Sequence, residues 1–288
     1  MEQIKKDILA LKQLVNKGVS TKQYSRVYSH TNENLKAIIE NFDIKNKSIL
    51  TVLGSGDQAL NFLNHKAANV ELFDINKLAL YYYYIRLWTI KYYNHFYLGT
   101  KLIDLLKLVK PKDKAEEKAF FFWINYYKRF GNNINFFHND GAPFAGRIKD
   151  LSYLRKRLEK EKIVFYNIDL TENIHLNKKY DIIYVSNVPR WIVKEDLITC
   201  IDGKESILLD NYRENLDRLL KKDGKVICAN VSRTIDENDI EVEYMSKSFD
   251  FHQLNETDDI CYPKIPGYYY TKKKKKWFVI PEQTIDKN

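Results

Sequence analysis

The chain has 288 residues, of which 44% are hydrophobic and 30% are charged, and its formal net charge is +9. This length and apolar content suit one large α/β domain, or one domain with an insertion. No apolar run is long enough for a transmembrane helix, and the amphipathic N-terminus lacks the apolar stretch and cleavage site of a secretory signal.

The three cysteines, Cys200, Cys228 and Cys261, are far apart and form no metal-binding pattern. An odd number argues against a disulfide framework, so we expect a reducing, cytoplasmic compartment and no metal site. The positive charge allows nucleic acid or anionic lipid as a partner. However, lysine is abundant throughout, and the run of five lysines at 272–276 is typical of a solvated hairpin tip. Charge alone therefore selects no partner.

Residues 1–45 predict helices that precede the first strand. Residues 1–20 carry apolar side chains at helical spacing, and Gly18 ends this helix. A second helix is expected to begin at Thr31, its N-cap, with Leu35, Ile38 and Ile39 on the buried face. We expect this N-terminal segment to cover the site that the following strands form.

Residues 49–53 are an apolar run of the kind that forms a buried parallel strand. Gly54, Ser55 and Gly56 break this run, and from Asp57 onward the apolar residues recur at helical spacing. The sequence therefore predicts a strand, a glycine turn and a helix.

A second strand is predicted at residues 70–73, and Asp74 stands at its end. Glycines in such a turn allow a ligand to approach the backbone closely. A carboxylate about 20 residues further on is placed to hold both ribose hydroxyls of a nucleoside. The stretch from residue 49 to residue 76 is therefore half of a nucleoside-binding crossover.

The details favour S-adenosylmethionine over a dinucleotide. A dinucleotide site uses G-x-G-x-x-G so that a pyrophosphate rests on the helix N-terminus. Ala59 at the third glycine position is tolerated, but Asp57 would put a negative charge close to the pyrophosphate. A sulfonium cofactor has no phosphate to repel. In the alternative interpretation, Gly54 and Gly56 only turn a tight loop and Asp57 caps the helix.

The strand–helix alternation is interrupted after the second strand. Residues 78–97 predict a helix that is rich in aromatic side chains and packed on two sides. Residues 98–160 then predict an all-helical insertion, or cap, which we expect to cover the active site. His95 and His138 lie in or near it, and each is more often structural than catalytic.

The α/β pattern resumes at residue 161. Three further strands are predicted, at residues 163–168, 180–185 and 225–231. A helix is predicted at residues 207–220, and residues 268–271 and 277–280 predict an antiparallel hairpin. The Rossmann-like cofactor-binding domain would therefore consist of residues 46–97 and 161–288, with a mostly parallel sheet.

This order of elements resembles that of the class I S-adenosylmethionine-dependent methyltransferases. The residues that carry the resemblance are GSGD at 54–57, DIN at 74–76, Asp169 and SN at 186–187. The longer run at 55–91, with YSHTNEN at 28–34, resembles the S-adenosylmethionine:diacylglycerol 3-amino-3-carboxypropyl transferases, the betaine-lipid synthases, and their short bacterial members in particular. The resemblance covers residues 24–98 well and the later strands only as a fold. No motif of the acceptor side is matched.

The resemblance implies a role for each matched residue. Gly54, Ser55 and Gly56 would lie under the methionine part of the cofactor, and Asp57 would meet its amino group or a water. Asp74 would hold the ribose hydroxyls. The adenine would lie against a set of four residues: Ile75, Asn76, Ile168 and Asp169.

Four further residues are implied at the open end of the site. Ser186 and Asn187 would lie at the mouth from which the transferred group leaves. Tyr28 and Asn32 would close over the methionine end. Simpler interpretations stay open, since Asp74 could cap the next helix, Asp169 could be a surface turn residue and Asn187 could merely end a strand.

The chemistry implied is in-line displacement at a carbon attached to the sulfonium, for which the protein supplies alignment and a dry pocket. Either a methyl or a 3-amino-3-carboxypropyl group would move to a small-molecule or lipid acceptor. The sequence shows no convincing base, and it specifies no oligomeric state.

Two other functions remain open from the sequence. Adenine N6-methylases place an Asn-x-Pro-aromatic loop after the strand that corresponds to residues 180–185 of this chain. Asn187, Val188 and Pro189 fit that pattern, but Arg190 occupies the aromatic position and Trp191 follows it. In this interpretation the partner is nucleic acid. Arg190 and Trp191 are candidate acceptor contacts whether the acceptor is nucleic acid or a smaller molecule. The other alternative is a non-catalytic scaffold that binds the cofactor without turnover.

Overall fold

The computed structural model describes most of the predicted α/β domain. The described residues are 6–7, 9–10, 13–14, 17, 20–25, 27–28, 31, 33–92, 114, 137–138, 151–199, 207–230, 234–256 and 265–273. Within these ranges, no helix has the length and apolar character needed to cross a membrane.

Nine strands are formed by the described residues. They are β1 (Val27–Tyr28), β2 (Ser48–Val52), β3 (Asn69–Phe73), β4 (Phe137–His138), β5 (Phe165–Tyr166), β6 (Tyr180–Ser186), β7 (Leu220–Ala229), β8 (Phe249–Gln253) and β9 (Gly267–Lys272). Seven of them make one sheet in the order β5-β3-β2-β6-β7-β9-β8. The first five strands of that order run parallel, and β9 is antiparallel to both of its neighbours.

The helices connect these strands. They are α1 (Leu35–Glu40), α2 (Asp57–Asn64), α3 (Lys77–Tyr92), α4 (Leu151–Lys160), α5 (Val188–Thr199), α6 (Ile207–Leu219) and α7 (Ile240–Met245). The Rossmann-like fold class expected from the sequence is confirmed, because the sheet is mostly parallel and ends in an antiparallel pair of strands, β9 and β8.

The centre of the sheet is apolar on both faces. Ile49 and Leu50 of β2, and Ile183 of β6, are completely buried, as expected for parallel strands that are covered on both sides. The chain leaves β2 toward β3 on one side, and β6 pairs with β2 on the other side. The carboxyl ends of these three strands therefore surround a point at which the strand order reverses, where open α/β sheets bind their ligands.

Three predicted elements differ from the structure in detail. The strand expected at 163–168 is only Phe165–Tyr166, and the strand expected at 225–231 is the end of a longer β7. β8 lies in a region where the sequence pattern predicts no element. It pairs with β9, whereas residues 277–280, the partner expected for β9, lie outside the described residues. Phe249 and Phe251 alternate with polar residues along β8, which is the period of a strand.

The N-terminal segment differs from the expectation at its cap. Asn34, not Thr31, is the N-cap of α1, and its Oδ1 accepts the N–H of Ala37 at 3.2 Å. The N–H of Thr31 instead donates to Asp57. The expected buried face of α1 is confirmed, since Leu35, Ile38 and Ile39 are all buried.

The predicted insertion at 98–160 is described only in part. Residues 137–138 form β4, which pairs in parallel with β1, so the insertion is not all-helical. α4, at its end, packs onto the main domain. Leu154 and Leu158 are buried there, and Arg155 Nε donates to the main-chain oxygen of Ile90 at 2.7 Å. His95 and the side chain of His138 lie outside the described residues.

Candidate functional site

A cavity of about 430 Å³ lies at the carboxyl ends of β2, β3 and β6, within the size range of small-molecule sites. Ten of the residues predicted for the site line it: Tyr28, Gly54, Ser55, Asp74, Ile75, Asn76, Asp169, Ser186, Asn187 and Trp191. Tyr28, with Lys22, Ser25 and Thr31, forms the N-terminal part of the lining. The structure therefore brings together residues as distant in sequence as Tyr28 and Trp191, which are about 160 positions apart.

Asp74 is fixed by the backbone around it. Its Oδ2 accepts the N–H of Gly54 at 2.9 Å, and its Oδ1 accepts the N–H of Asn76 at 2.8 Å. The side chain is buried yet lines the cavity. Burial raises the pKa of Asp74 to about 6, while the backbone N–H groups oppose this shift. Each oxygen retains acceptor capacity, so the carboxylate is suited to two adjacent hydroxyl groups.

Gly54 and Gly56 of the turn are glycines for different structural reasons. Both have a positive φ, +48° at Gly54 and +83° at Gly56. A Cβ on Gly54 would come only within 3.9 Å of Gln58 Nε2, so the space above this glycine is open. A Cβ on Gly56 would lie 2.4 Å from Cδ2 of Tyr83. Gly56 is therefore required by packing, whereas Gly54 leaves room for a ligand beside the backbone.

Asp57 does not face the cavity, contrary to the expectation that it meets a cofactor. Its side chain is completely buried, with Oδ1 2.6 Å from Nη2 of Arg86. Its Oδ2 accepts the N–H of Thr31 at 2.5 Å and the hydroxyl of Ser55 at 2.8 Å. The alternative interpretation of Asp57 as a cap is wrong as well, since Gly56 is the N-cap of α2. Asp57 instead holds the turn from beneath.

The expected adenine side is only partly assembled. Ile75, Asn76 and Asp169 line the cavity. Ile168 lies in an adjacent cavity of about 320 Å³, which Ile75 and Asp169 also line. The sequence interpretation that packs Ile168 on the ring therefore requires the ligand to extend into this second cavity.

Local hydrogen bonds hold two of these side chains. Asp169 Oδ1 accepts both the N–H and the hydroxyl of Thr171, at 2.9 and 2.7 Å. Asn76 Nδ2 donates to the main-chain oxygen of Ser25 at 3.0 Å, while its Oδ1 accepts the N–H of Leu78 at 3.1 Å. Asn76 thus links the end of β3 to the N-terminal segment.

The far side of the cavity is formed by the end of β6 and the start of α5. Ser186 has φ +58°, a conformation that a serine adopts at a cost. Asn187 is half-buried and lines the cavity, and Trp191 lines its mouth with 55% of its surface exposed. Arg190 is exposed and is not among the residues that line the cavity. Of the expected acceptor contacts, the structure places Asn187 and Trp191 at the mouth but not Arg190.

The segment that follows Asn187 is helical. α5 begins at Val188, so Pro189 occupies its first turn, a position that proline tolerates well. Only Asn187 precedes the helix. Val188 and Pro189, which the sequence pattern assigns to an Asn-x-Pro-aromatic loop, therefore belong to a helix.

Glu33 was not predicted from the sequence, although it lines the cavity and is only 2% exposed. Its Oε2 accepts the hydroxyl of Tyr184 at 2.7 Å and Nε2 of Gln58 at 3.0 Å. Its Oε1 accepts the hydroxyl of Ser186. The available signal was a glutamate within the motif at 28–34, just before an apolar helix. Asn32, from the same motif, lies outside the described residues.

Known proteins resemble the chain weakly. No protein-family model matches it, and no curated protein matches it. The solved structure of a ribosomal protein L11 methylase from Lactobacillus delbrueckii subsp. bulgaricus is 15% identical, over 83% of this chain and 77% of that chain, with a TM-score of 0.40. A TehB-like SAM-dependent methyltransferase from Corynebacterium glutamicum is 11% identical, over 94% and 99%, with a TM-score of 0.38.

A third solved structure is the glycopeptide N-methyltransferase MtfA complexed with S-adenosyl-L-homocysteine. It is 9% identical, over 89% of this chain and 94% of that chain, with a TM-score of 0.42. Because all of these values are low, we base the function on the geometry of the cavity.

Proposed function

We propose that this chain is an S-adenosylmethionine-dependent transferase. The observation that carries the proposal is the placement of Asp74. Its carboxylate ends the strand after the glycine turn, is held by two backbone N–H groups and lines a cavity of about 430 Å³. This is the arrangement that grips the two ribose hydroxyls of an adenosyl group.

The remaining residues of the cavity fit that cofactor. The open space above Gly54 accommodates a ligand chain that runs along the turn. Among the described lining residues, the carboxylates are Glu33, Asp74 and Asp169, and the basic residue is Lys22. Such a lining favours a cationic ligand over a phosphorylated one, which supports a sulfonium cofactor rather than a dinucleotide.

When bound, S-adenosylmethionine supplies a carbon already activated for displacement by its sulfonium. The protein therefore needs chiefly to align the acceptor and to exclude water. Ser186, Asn187 and Trp191 at the mouth are the residues that we assign to this task. The group transferred is a methyl or a 3-amino-3-carboxypropyl group, and the proposed acceptor is a small molecule or a lipid.

The first test is binding. Isothermal titration calorimetry with S-adenosylmethionine, S-adenosylhomocysteine and NAD is expected to show binding of the first two and not of NAD. Asp250→Asn, which changes an exposed residue of β8, is the matched control for Asp74→Asn. Failure of the wild-type protein to bind either adenosyl compound would refute the proposal.

The second test identifies the transferred group and the acceptor. The protein is incubated with cell extract and S-adenosylmethionine that is labelled in the methyl position or in the carboxypropyl position. The label that moves names the group, and the lipid, nucleic-acid or small-molecule fraction that receives it names the acceptor class. Label in nucleic acid would support the adenine-methylase alternative, and binding without any transfer would support the scaffold.

A further inference from the structure

Glu33 lines the same cavity as Asp74. It comes from the N-terminal segment, but its carboxylate is bound by residues of the sheet domain. Tyr184 and Ser186 belong to β6, and Gln58 lies in the first turn of α2. β6 and β3 lie on opposite sides of β2 in the sheet, so Glu33 is held by a strand on the other side of β2 from the strand that Asp74 follows.

The surroundings of Glu33 indicate a built site. Ser186, which donates to Glu33, is held at φ +58°. Non-glycine residues persist in this conformation only where the surrounding structure enforces it, and such residues cluster at functional sites. A buried carboxylate is also costly unless it is well bound. Both the strained backbone of Ser186 and the buried carboxylate of Glu33 are therefore unfavourable by themselves, and both are found at the wall of the cavity.

We propose that Glu33 binds the α-ammonium group at the amino-acid end of the cofactor. This inference rests on the proposed function, because a ribose held at Asp74 directs the methionine chain past Gly54 toward β6. Glu33 lines the same cavity and is bound by Tyr184 and Ser186 of β6, so it is the anion that meets the cationic amine at that end of the chain.

The electrostatics agree with this assignment. Burial raises the pKa of Glu33, while the hydrogen bonds from Ser186, Tyr184 and Gln58 lower it. A cation bound beside the carboxylate favours its ionised form. Charge-assisted hydrogen bonds of this kind are stronger than neutral ones, so the contact distinguishes ligands with the amine from ligands without it.

The test compares two ligands that differ at the amino-acid end. S-adenosylhomocysteine and 5′-methylthioadenosine are both uncharged at sulfur, but only the former has the ammonium group. In Glu33→Gln, the dissociation constant for S-adenosylhomocysteine is expected to rise by about tenfold to a hundredfold. The constant for 5′-methylthioadenosine is expected to change by less than about twofold, the spread of surface substitutions.

The ratio of the two dissociation constants within one variant is independent of how much of the protein is folded, since partial unfolding lowers the apparent affinity for both ligands by the same factor. Glu33→Asp retains the charge and is expected to keep most of the preference for S-adenosylhomocysteine. Glu243→Gln, on the exposed side of α7, is the matched control and should leave both constants unchanged.

Two results would overturn the assignment of Glu33. An equal loss for both ligands in Glu33→Gln would show a structural role, and tighter binding of S-adenosylhomocysteine would place its carboxylate beside Glu33. Neither result refutes the transferase itself, which fails only if the wild-type protein binds no adenosyl compound.

Discussion

The guanidinium group of Arg86 lies 2.6 Å from the carboxylate of Asp57, and both side chains are buried, with 2% and 0% of their surface exposed. Arg86 Nη1 also donates to the main-chain oxygen of Ser55 at 2.6 Å. The other carboxylate oxygen of Asp57 accepts the N–H of Thr31. One ion pair therefore connects α3, the glycine turn and the N-terminal segment directly behind the cavity.

We expect Arg86→Met to destabilise the protein by about 3–5 kcal/mol, because it leaves the buried carboxylate of Asp57 without its cation. The free energy of unfolding is measured by urea denaturation. Lys221→Met is the control, since Lys221 forms an ion pair with Asp181 at 2.9 Å but is 46% exposed. Exposed pairs contribute at most about 1 kcal/mol, so similar losses in both variants would contradict the role assigned to Arg86.

The two glycines of the turn should respond differently to alanine. Gly56→Ala is expected to destabilise the protein by about 2–5 kcal/mol, because the strained φ adds about 1–2 kcal/mol to the cost of overpacking against Tyr83, about 1–3 kcal/mol. Gly54→Ala should cost about 1–2 kcal/mol from its backbone conformation alone. Urea denaturation of the two variants measures this difference.

Ligand affinity should be reduced more by the substitution at Gly54 than by the substitution at Gly56, the reverse of the order expected for stability. The added methyl of Gly54→Ala projects into the space that we assign to the cofactor, so this variant should bind S-adenosylhomocysteine at least about tenfold more weakly, as expected for a one-methyl misfit at a close contact. If Gly54→Ala binds as tightly as the wild-type protein, the ligand does not pass over Gly54.

The sequence predicted the parts of the site that depend on local spacing. Gly54 and Asp74 were assigned because a glycine turn and a strand-ending acid are read within one crossover. Asp57 belongs to the same motif, but its partner, Arg86, is 29 positions away on a helix crowded with aromatic residues. No periodicity reports that pairing, so an acid in the motif was interpreted as a ligand contact.

Glu33 was missed for a related reason. It ends no strand and lies in no glycine turn, and its position depends on Tyr184 and Ser186, about 150 residues further along the chain. Packing between distant segments decides such a placement. The same limit explains β8, whose short alternating pattern becomes a strand only because β9 lies beside it.

Asp74→Asn should weaken binding of S-adenosylhomocysteine by about thirtyfold to a few hundredfold. Hydrogen bonds to a charged group contribute about 1.5–3 kcal/mol and neutral ones about 0.5–1.5 kcal/mol. Exchanging two of the former for two of the latter loses about 2–3 kcal/mol, or about thirtyfold to a few hundredfold in affinity. Calorimetry measures the affinity. The wild-type protein should bind 2′-deoxyadenosine more weakly than adenosine, whereas Asp74→Asn should bind the two nucleosides with similar affinity. If both proteins prefer adenosine to the same extent, the ribose lies elsewhere.

The pH dependence of binding provides an independent test of Asp74. Burial raises the pKa of this carboxyl group to about 6 in the free protein. Ribose hydroxyls donate to the ionised form, so binding requires loss of the proton and is linked to pH. The affinity is therefore expected to be constant above pH 7 and to fall below pH 6, approaching tenfold per pH unit.

The ligand for this experiment should be 5′-methylthioadenosine, which lacks the ammonium group and is therefore insensitive to the charge that we assign to Glu33. Calorimetry between pH 5 and pH 8 gives the profile (about one unit below and two above the pKa). Asp74→Asn has no proton to lose and should give a flat profile at low affinity. A flat profile in the wild-type protein would mean that the ionised carboxylate does not receive the ribose, because linkage requires a change in proton binding wherever the pKa shifts.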